Sequence, residues 1–462
     1  MNLESYIPDK LLPNTVDYHD NDILIEHGVN IITHYDSFGV GQHGYYFEKI
    51  FIELGIPYNL IKLGRGDKFE ANMKKVTDEF NYGYLFVLST INADNPMYID
   101  NLNLSDKYIK IGHWAWELNK FPYAYLDNTL DEIWSISDFS SSSINRVAAN
   151  KVVNIQPPCL PISREVGQYG QKLVDEFDLD NKIVFSTFYD EKSDLNRKNP
   201  FVLLDIFFEN EFEDKILIVK SVGDVSEKFE KYKNKNIIFI SDNLDYSDLV
   251  DIYKISDVYV STAKSEGQGR SIMESLQCGT KVFAVNYSAI REFHMNRNIT
   301  FIDHTLELVD SPIYEKYIEG IPVKWATMEK EDLFQNINQI HEKIPTNENS
   351  ISWVEHNYSV AKSATIVRKR LHSLKKKYIE KLISNKLKLK PDYIKSHQLY
   401  KDIRGKHKKV VKRFESPASI SKYSYTNDDV VDLLNEYCID FKNENKEYFS
   451  VDQSEEINFV VY

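Results

Sequence analysis

The stretch that most constrains the fold is residues 261–284, in which a glycine-rich loop lies between two apolar strands. The apolar residues 258–260 precede the loop, Gly267 and Gly269 lie within it, and apolar positions recur at helical spacing from Ser271. A strand, a glycine loop, a helix and a second strand in this order are typical of a doubly wound parallel sheet. Such a loop brings free N–H groups and the positive end of a helix together, which suits an anionic ligand.

The alternation of strands and helices extends along most of the chain and predicts an α/β protein with two Rossmann-like doubly wound domains facing a cleft. The Pro-rich residues 155–162 indicate the hinge between the two halves. The expected divisions are a first, acceptor-binding domain, a second, donor-binding domain, a helix that crosses back to the first domain, and a helical extension of unknown role. They span residues 1–160, 161–350, 351–378 and 379–462.

Charge and cysteine content narrow the setting in which the chain works. The net charge is −14, yet residues 362–413 carry 19 Lys and Arg against three acids. The three cysteines are far apart in the sequence, which indicates neither a disulfide framework nor a metal site. We find no signal peptide and no apolar run long enough to span a bilayer, so we expect a cytoplasmic protein.

Two blocks of sequence carry a resemblance to a known family. The loop block resembles the signature of glycosyltransferase family four, through Glu266, Gly267, Gly269, Glu274, Cys278, Gly279 and Val282. The stretches GHWAWELNKFPYAY and DEIWSISDF, beginning at Gly112 and Asp131, resemble a subgroup of that family with a G-x-W-x-W-E-L and D-E-I-W pattern. The resemblance covers residues 29–375 and stops there.

The resemblance implies a GT-B fold and a retaining glycosyltransferase. The expected donor is a UDP- or GDP-linked sugar, and the expected acceptor is a glycan or a lipid-linked molecule in bacterial surface polysaccharide or glycoconjugate synthesis. Such enzymes stabilise the leaving diphosphate with cations and N–H groups, so we expect neither a cofactor nor an obligatory metal.

The resemblance also implies roles for individual residues. Glu266 would contact the transferred sugar, Lys198 would face the phosphates, and Glu274 would bind the ribose hydroxyls. His113 follows a strand and either relays a proton in the cleft or packs as a structural histidine beside two tryptophans. The remaining expected donor-binding residues are Gly267, Gln268, Gly269, Arg270, Ser271, Arg197, Gly39 and Gly41.

Some assignments stay open at the level of sequence. Arg197 either replaces an earlier phosphate-binding arginine of the family or does not bind phosphate. Gly39 and Gly41 either let a loop approach the ligand or form an ordinary turn.

The rival functions are a sugar-nucleotide epimerase or hydrolase of the same fold, and a non-catalytic relative that binds a partner. The basic residues 362–413 form a solvated face, pair with the acidic tail, or bind an anionic membrane at its inner face; nothing else supports a nucleic-acid partner.

Overall fold

The protein is described by a computed structural model that covers residues 28–35, 41–91, 102, 108–122, 130–148, 152–190, 193–210, 212–222, 227–233, 236–318, 321–389, 449–451 and 457–459. Gly39 and most of the extension after residue 389 lie outside these described residues. Within them, two six-stranded parallel sheets carry helices between their strands, so the prediction of a doubly wound α/β fold is confirmed.

The first sheet has the strand order β2-β1-β3-β4-β5-β6. Its strands are β1 (Val29–Thr33), β2 (Tyr58–Lys62), β3 (Phe86–Ser89), β4 (Ile109–Trp114), β5 (Glu132–Ser135) and β6 (Val152–Asn154). Every residue of β1 and β3 is buried, as expected for parallel strands covered on both faces. The helices of this part are α1 (Gln42–Leu54), α2 (Phe69–Glu79) and α3 (Asp138–Ala148).

The second sheet has the strand order β12-β11-β10-β7-β8-β9. Its strands are β7 (Ile183–Asp190), β8 (Lys215–Val222), β9 (Ile237–Ile240), β10 (Val258–Ser261), β11 (Lys281–Val285) and β12 (Ile299–Ile302). The helices of this part include α4 (Gln168–Phe177), which precedes β7, and then α5 (Leu195–Lys198), α6 (Phe201–Glu209), α7 (Tyr246–Ile255) and α8 (Arg270–Gln277). Chain order reverses between β7 and β10, and the crevice outside the carboxyl ends of such neighbouring strands is where open α/β sheets bind ligands.

A small antiparallel hairpin, β13 (His304–Leu308) with β14 (Lys324–Met328), links the two sheets. The helix α9 (Pro312–Ile318) lies between its strands in sequence. Tyr314 and Trp325 from this unit pack in one buried cluster with Trp114 and Trp116 of the first domain. The hairpin therefore belongs in sequence to the second domain and in packing to both.

The closing helices run from the second domain back to the first. They are α10 (Lys330–Asn338), α11 (Glu348–Tyr358) and α12 (Val360–Leu389). The apolar positions of α12 up to Leu374 are buried against the core that contains α1. Arg370 of α12 pairs with Glu132 of β5, and Trp134 Nε1 donates to Glu132 Oε1 at 2.8 Å. Arg370 is therefore committed to the fold and does not belong to a free basic surface.

A carboxylate of the second domain contacts both the first domain and the hinge. Glu292 of the second domain accepts from the N–H of Phe139, in the first turn of α3, at 3.0 Å. Its other oxygen accepts from Gln156 Nε2 at 2.8 Å. Burial and the nearby charge of Asp138 raise the pKa of Glu292 to about 8. This contact holds a carboxyl group that is largely protonated at neutral pH.

Two further structural findings concern the ends of the chain. Among the described residues, no helix is both long and apolar enough to cross a membrane. The described part of the extension contains the end of α12 and a strand pair, β15 (Phe449–Val451) with β16 (Ile457–Phe459). The side chains of the basic residues after residue 375 lie outside the described part of the chain.

Candidate functional site

The glycine loop leaves β10 and enters α8 at the carboxyl edge of the second sheet. Gly269 has φ +79°, a left-handed conformation that a residue with a Cβ adopts only with strain. This turn allows α8 to begin at Arg270 directly behind the loop. The first turn of α8 therefore presents its unpaired N–H groups towards the ends of β10 and β7.

Lys198 and Glu266 form the ion pair at the centre of the site. Lys198 Nζ lies 2.6 Å from Glu266 Oε1, and Arg197 Nη1 lies 3.2 Å from the same oxygen. Both cations stand on the short helix α5, whose first turn is capped by the carboxylate of Asp194 accepting from the N–H of Asn196 at 2.9 Å. Thr262 Oγ1 donates to the carbonyl of Lys198 at 2.7 Å, which ties α5 to the glycine loop.

The charges of this cluster are set by one another. Burial favours the neutral form of Glu266, but Lys198 and Arg197 outweigh it and lower the pKa of Glu266. Burial opposes the charge of Arg197 as well, and the carboxylates of Glu266 and Glu117 with the hydroxyl of Tyr314 raise the pKa of Arg197 above its ordinary value. Glu266 is therefore an ionised acceptor held between two cations.

A cavity of about 10 Å³ lies at the ion pair. It is lined by Phe188, Lys198, Tyr259, Ser261, Thr262, Ala263, Glu266, Gly269, Ser271 and Ile272. This volume admits about one water molecule, whereas pockets for small organic ligands occupy several hundred Å³. This cavity alone is too small for a nucleotide, while the side chains of Lys198 and Glu266 remain 21% and 17% exposed.

Glu274, the second carboxylate of the loop block, is paired within its own helix. Arg270 donates to Glu274 Oε1 from Nε at 3.1 Å and from Nη2 at 2.9 Å. The hydroxyls of Tyr246 and Tyr253 donate to the same carboxylate at 3.5 and 3.4 Å. Only 6% of Glu274 is exposed, so a ribose would have to take the place of one of these partners.

The loop is also the contact between the two domains. A Cβ at Gly267 would meet Ile136 Cδ1 at 2.9 Å and the carbonyl of Trp116 at 3.1 Å, so a side chain there would collide with the first domain. Gln268 Nε2 donates to the carbonyl of Pro157 at 2.8 Å, and Arg270 Nη1 donates to that of Pro158 at 3.1 Å. These expected donor-binding side chains are bound to the hinge in this structure.

The structure adds Tyr314, which sequence patterns had not assigned to the site, and gives Glu117 its partners. Tyr314 of α9 donates to Glu117 of the first domain, and Glu117 Oε1 lies 3.9 Å from Arg197 Nε. Ser265 donates to the main-chain carbonyl of Glu117. The sequence had placed Glu117 after a strand, facing the cleft, within the G-x-W-x-W-E-L pattern, whereas nothing around Tyr314 indicated a role for that residue.

His113 lies away from the cavity. It is fully buried, its ring centroid is 4.7 Å from that of Phe47 and 4.8 Å from that of His43, and its Nε2 lies 3.2 Å from the carbonyl of Ile155. Burial lowers the pKa of His113 to about 4, so the ring is neutral at physiological pH. Of the two roles considered for His113, a proton relay or a structural histidine, this position corresponds to the structural one.

The other expected residues divide between the cavity and its surroundings. Ser271 and Gly269 line the cavity. Gly41 precedes α1 with an ordinary helical φ of −63°, so its backbone does not need glycine. Gly39 lies outside the described residues. In the described part of the chain, no group of three or more His, Cys, Asp or Glu side chains is arranged to hold a metal ion.

Comparison with known families identifies the segment that carries this site. Residues 193–303 match the family model of glycosyl transferases, group 1, and this match spans α5, β10, the glycine loop and α8. The second domain is a glycosyltransferase domain. No curated protein matches the chain.

Solved structures share the fold of the whole two-domain body. HepE from Anabaena, in complex with UDP and glucose, has 14% identity and a TM-score of 0.52, with 75% of this chain and 100% of that chain covered. A glycosyltransferase from Rickettsia africae has 13% identity and a TM-score of 0.54, covering 76% and 98%. Sucrose-phosphate synthase from Thermosynechococcus elongatus has 12% identity and a TM-score of 0.55, covering 75% and 99%. The glycosyltransferase domain therefore lies within a GT-B fold.

Proposed function

We propose that this chain is a retaining glycosyltransferase of family four that moves a sugar from a nucleoside diphosphate to a glycan or lipid-linked acceptor. The observation that carries the proposal is the Lys198–Glu266 pair at the mouth of the glycine loop. A cation and the N–H groups of α8 suit a departing diphosphate, and an ionised carboxylate suits the hydroxyls of a sugar. HepE, which shares the fold, was solved with UDP-glucose.

Each residue then has a defined part in the transfer. The acceptor oxygen attacks the anomeric carbon, the bond from that carbon to the phosphate oxygen breaks, and the acceptor proton passes to the leaving phosphate on the same face. Lys198 stabilises the charge that develops on the phosphate, and Glu266 orients the sugar by accepting hydrogen bonds from its hydroxyls. Glu274 exchanges its partners for the ribose hydroxyls. Because Lys198 and the helix supply the positive charge, no metal is required, and activity is expected to persist in EDTA.

The experiment that tests the proposal is a panel of labelled nucleotide sugars, each incubated with and without glycan and lipid-linked acceptors. We expect transfer from a UDP- or GDP-linked sugar, with the anomeric configuration kept in the product by NMR. Epimerised donor, or hydrolysis as the main reaction with acceptor present, would assign the fold to a different activity. An inverted product would refute the retaining mechanism.

One observation favours a non-catalytic binding role as the second candidate. Arg270 neutralises Glu274, and the cavity beside the Lys198–Glu266 pair holds about 10 Å³. A protein that binds no donor has no need to open this arrangement. The non-catalytic role predicts that none of the nucleotide sugars in the same panel binds or reacts, even when each is present at millimolar concentration.

We also propose that the basic residues after α12 bring the enzyme to an anionic membrane surface in the cytoplasm, where a lipid-linked acceptor would be found. Residues 390–413 carry nine Lys and Arg against two acids. Each such cation near an anionic surface contributes roughly 1 kcal/mol. Co-sedimentation with phosphatidylglycerol vesicles at low salt, lost at high salt, is expected. Equal sedimentation of a chain truncated after residue 389 would refute this role.

A further inference from the structure

A buried lysine stands at the carboxyl end of β8, on the edge of the sheet where the donor is proposed to bind. Only 3% of Lys220 is exposed, and its ammonium donates to the main-chain carbonyl of Ser221. Within the described residues, no carboxylate lies within ion-pair distance of it. Burial lowers the pKa of Lys220, and the charge of Asp242 offsets this only in part. The ammonium has three donors, and among the described residues only the carbonyl of Ser221 accepts from it, which leaves donors for a ligand.

The other end of the same strand provides the contrast. Lys215 is equally buried, at 3% exposure. Its ammonium lies 3.1 Å from both carboxylate oxygens of Asp214 and 5.4 Å from the centroid of the Phe212 ring. That charge is neutralised within the fold and far from the ligand edge. Burial alone therefore does not indicate a function for a lysine of β8. Lys220 differs from Lys215 in two ways: it has no carboxylate partner, and it lies at the end of the strand that faces the proposed site.

Strand register fixes Lys220 relative to the proposed site. Lys220 pairs with Phe188 of β7, so the two side chains project from the same face of the sheet, with the strands about 4.8 Å apart. Phe188 lines the cavity beside Lys198, and its ring centroid lies 4.4 Å from that of Tyr253. The Tyr253 hydroxyl in turn reaches Glu274. Lys220 thus lies one strand beyond the phosphate and ribose positions, towards β9.

We propose that Lys220 binds the nucleobase of the donor by donating a hydrogen bond to a ring carbonyl oxygen. This inference rests on the proposed function, in which Lys198 faces the phosphates and Glu274 the ribose. A lysine ammonium has donors and no acceptor, so it requires an acceptor on the base. Asp242, on the segment after β9, supplies an acceptor for the ring N–H beside that carbonyl. Uracil and guanine present a carbonyl oxygen next to a ring N–H. Adenine and cytosine instead present an amino group next to an unprotonated ring nitrogen.

The experiment measures binding by calorimetry to UDP, GDP, ADP, CDP and inorganic pyrophosphate. The proteins are the full-length wild type, Lys220→Met, Lys220→Gln and the matched control Lys215→Met. We expect the wild type to prefer UDP or GDP. Lys220→Met should weaken binding of the preferred nucleotide about ten- to a hundredfold and leave binding of pyrophosphate unchanged. Lys220→Gln, which keeps an N–H donor, should recover part of the loss, and Lys215→Met should bind like the wild type.

The outcomes separate this inference from the function on which it rests. Lys220 does not bind the base if Lys220→Met binds UDP and GDP as tightly as the wild type does. The same follows if its affinity for pyrophosphate falls as much as its affinity for the nucleotide. In both cases the glycosyltransferase assignment stands. A wild type that prefers ADP or CDP also overturns the inference alone. If the wild type binds no nucleoside diphosphate and transfers no sugar, the proposed function itself has failed. Thermal unfolding of each variant verifies that it is folded.

Discussion

The guanidinium of Arg270 places two hydrogen bonds on a single oxygen of Glu274, at 2.9 and 3.1 Å. The same guanidinium lies 4.1 Å from the centroid of the Tyr46 ring in the first domain and donates to the carbonyl of Pro158 in the hinge. A carboxylate proposed to bind ribose is therefore held by a residue that spans both domains. Donor binding and the relative position of the domains are linked through this one side chain.

The first prediction concerns that pair. Arg270→Leu leaves the Glu274 carboxylate buried without a cation and should destabilise the protein by about 3–5 kcal/mol. Adding Glu274→Gln to Arg270→Leu removes the unpaired charge and should restore most of the loss. Thermal unfolding of the two single variants and the double variant measures this coupling. Additive effects of the two substitutions would contradict a direct interaction.

The second prediction concerns the central ion pair. Lys198→Ala should lower kcat by about 10²–10³, because it removes one of the groups that stabilise the leaving phosphate. Glu266→Gln should lower kcat more than it weakens nucleoside diphosphate binding, since Glu266 is assigned to the sugar. Steady-state kinetics together with UDP and GDP titrations separate the two effects. Lys330→Ala, a change at a half-exposed ion pair with Glu209, is a suitable control. Near-normal turnover of both site variants would refute the assignment.

The third prediction is a pH dependence that originates at Glu292. Because the folded pKa of about 8 exceeds the ordinary value of 4.5, the folded state binds the proton more tightly than the unfolded state. This contribution to stability is present below pH 4.5 and is lost as the pH rises through 8, with a size on the order of a few kcal/mol.

Thermal midpoints at pH 5, 6.5 and 8 test this prediction. The wild type should lose stability across the series more steeply than Glu292→Gln, which cannot ionise. Asp138→Asn should weaken the dependence, because Asp138 helps to raise the pKa. Glu331→Gln, on the outer face of α10, should follow the wild type. Parallel curves for the wild type and Glu292→Gln would show that the junction does not titrate in this range.

The fourth prediction concerns His113. Since its pKa is about 4 and it packs between Phe47 and His43, His113→Asn should lower stability by about 2–3 kcal/mol through lost packing. The kcat of the folded variant should change by no more than a few fold, with the same pH profile above pH 5. A loss of kcat above a hundredfold at unchanged stability would instead make His113 part of the chemistry.

The sequence predicted the architecture because local patterns encode it. Buried strands such as β1 and β10 are short apolar runs, and the left-handed turn at Gly269 needs glycine. The matched motifs of one family assigned Lys198 and Glu266 to the same site, while their direct pairing is a finding of the structure. These features depend on neighbours within a few residues or on a signature that recurs.

Long-range contacts were not predictable in this way. Glu292 meets Phe139 across 153 positions, and Arg370 meets Glu132 across 238, with no periodicity to connect them. His113 was expected to follow a strand, but it lies within β4, where packing against Phe47 and His43 of α1 buries it.

Several hydrogen bonds from the second domain to the hinge and to Glu117 run to the backbone. Ser265, Gln268, Arg270 and Gln277 of the second domain all donate to main-chain carbonyls, those of Glu117, Pro157, Pro158 and Leu160. A carbonyl is present whatever side chain the residue carries. A substitution at any of these four acceptor residues therefore leaves the carbonyl in place, so this part of the junction tolerates side-chain changes in the first half of the chain.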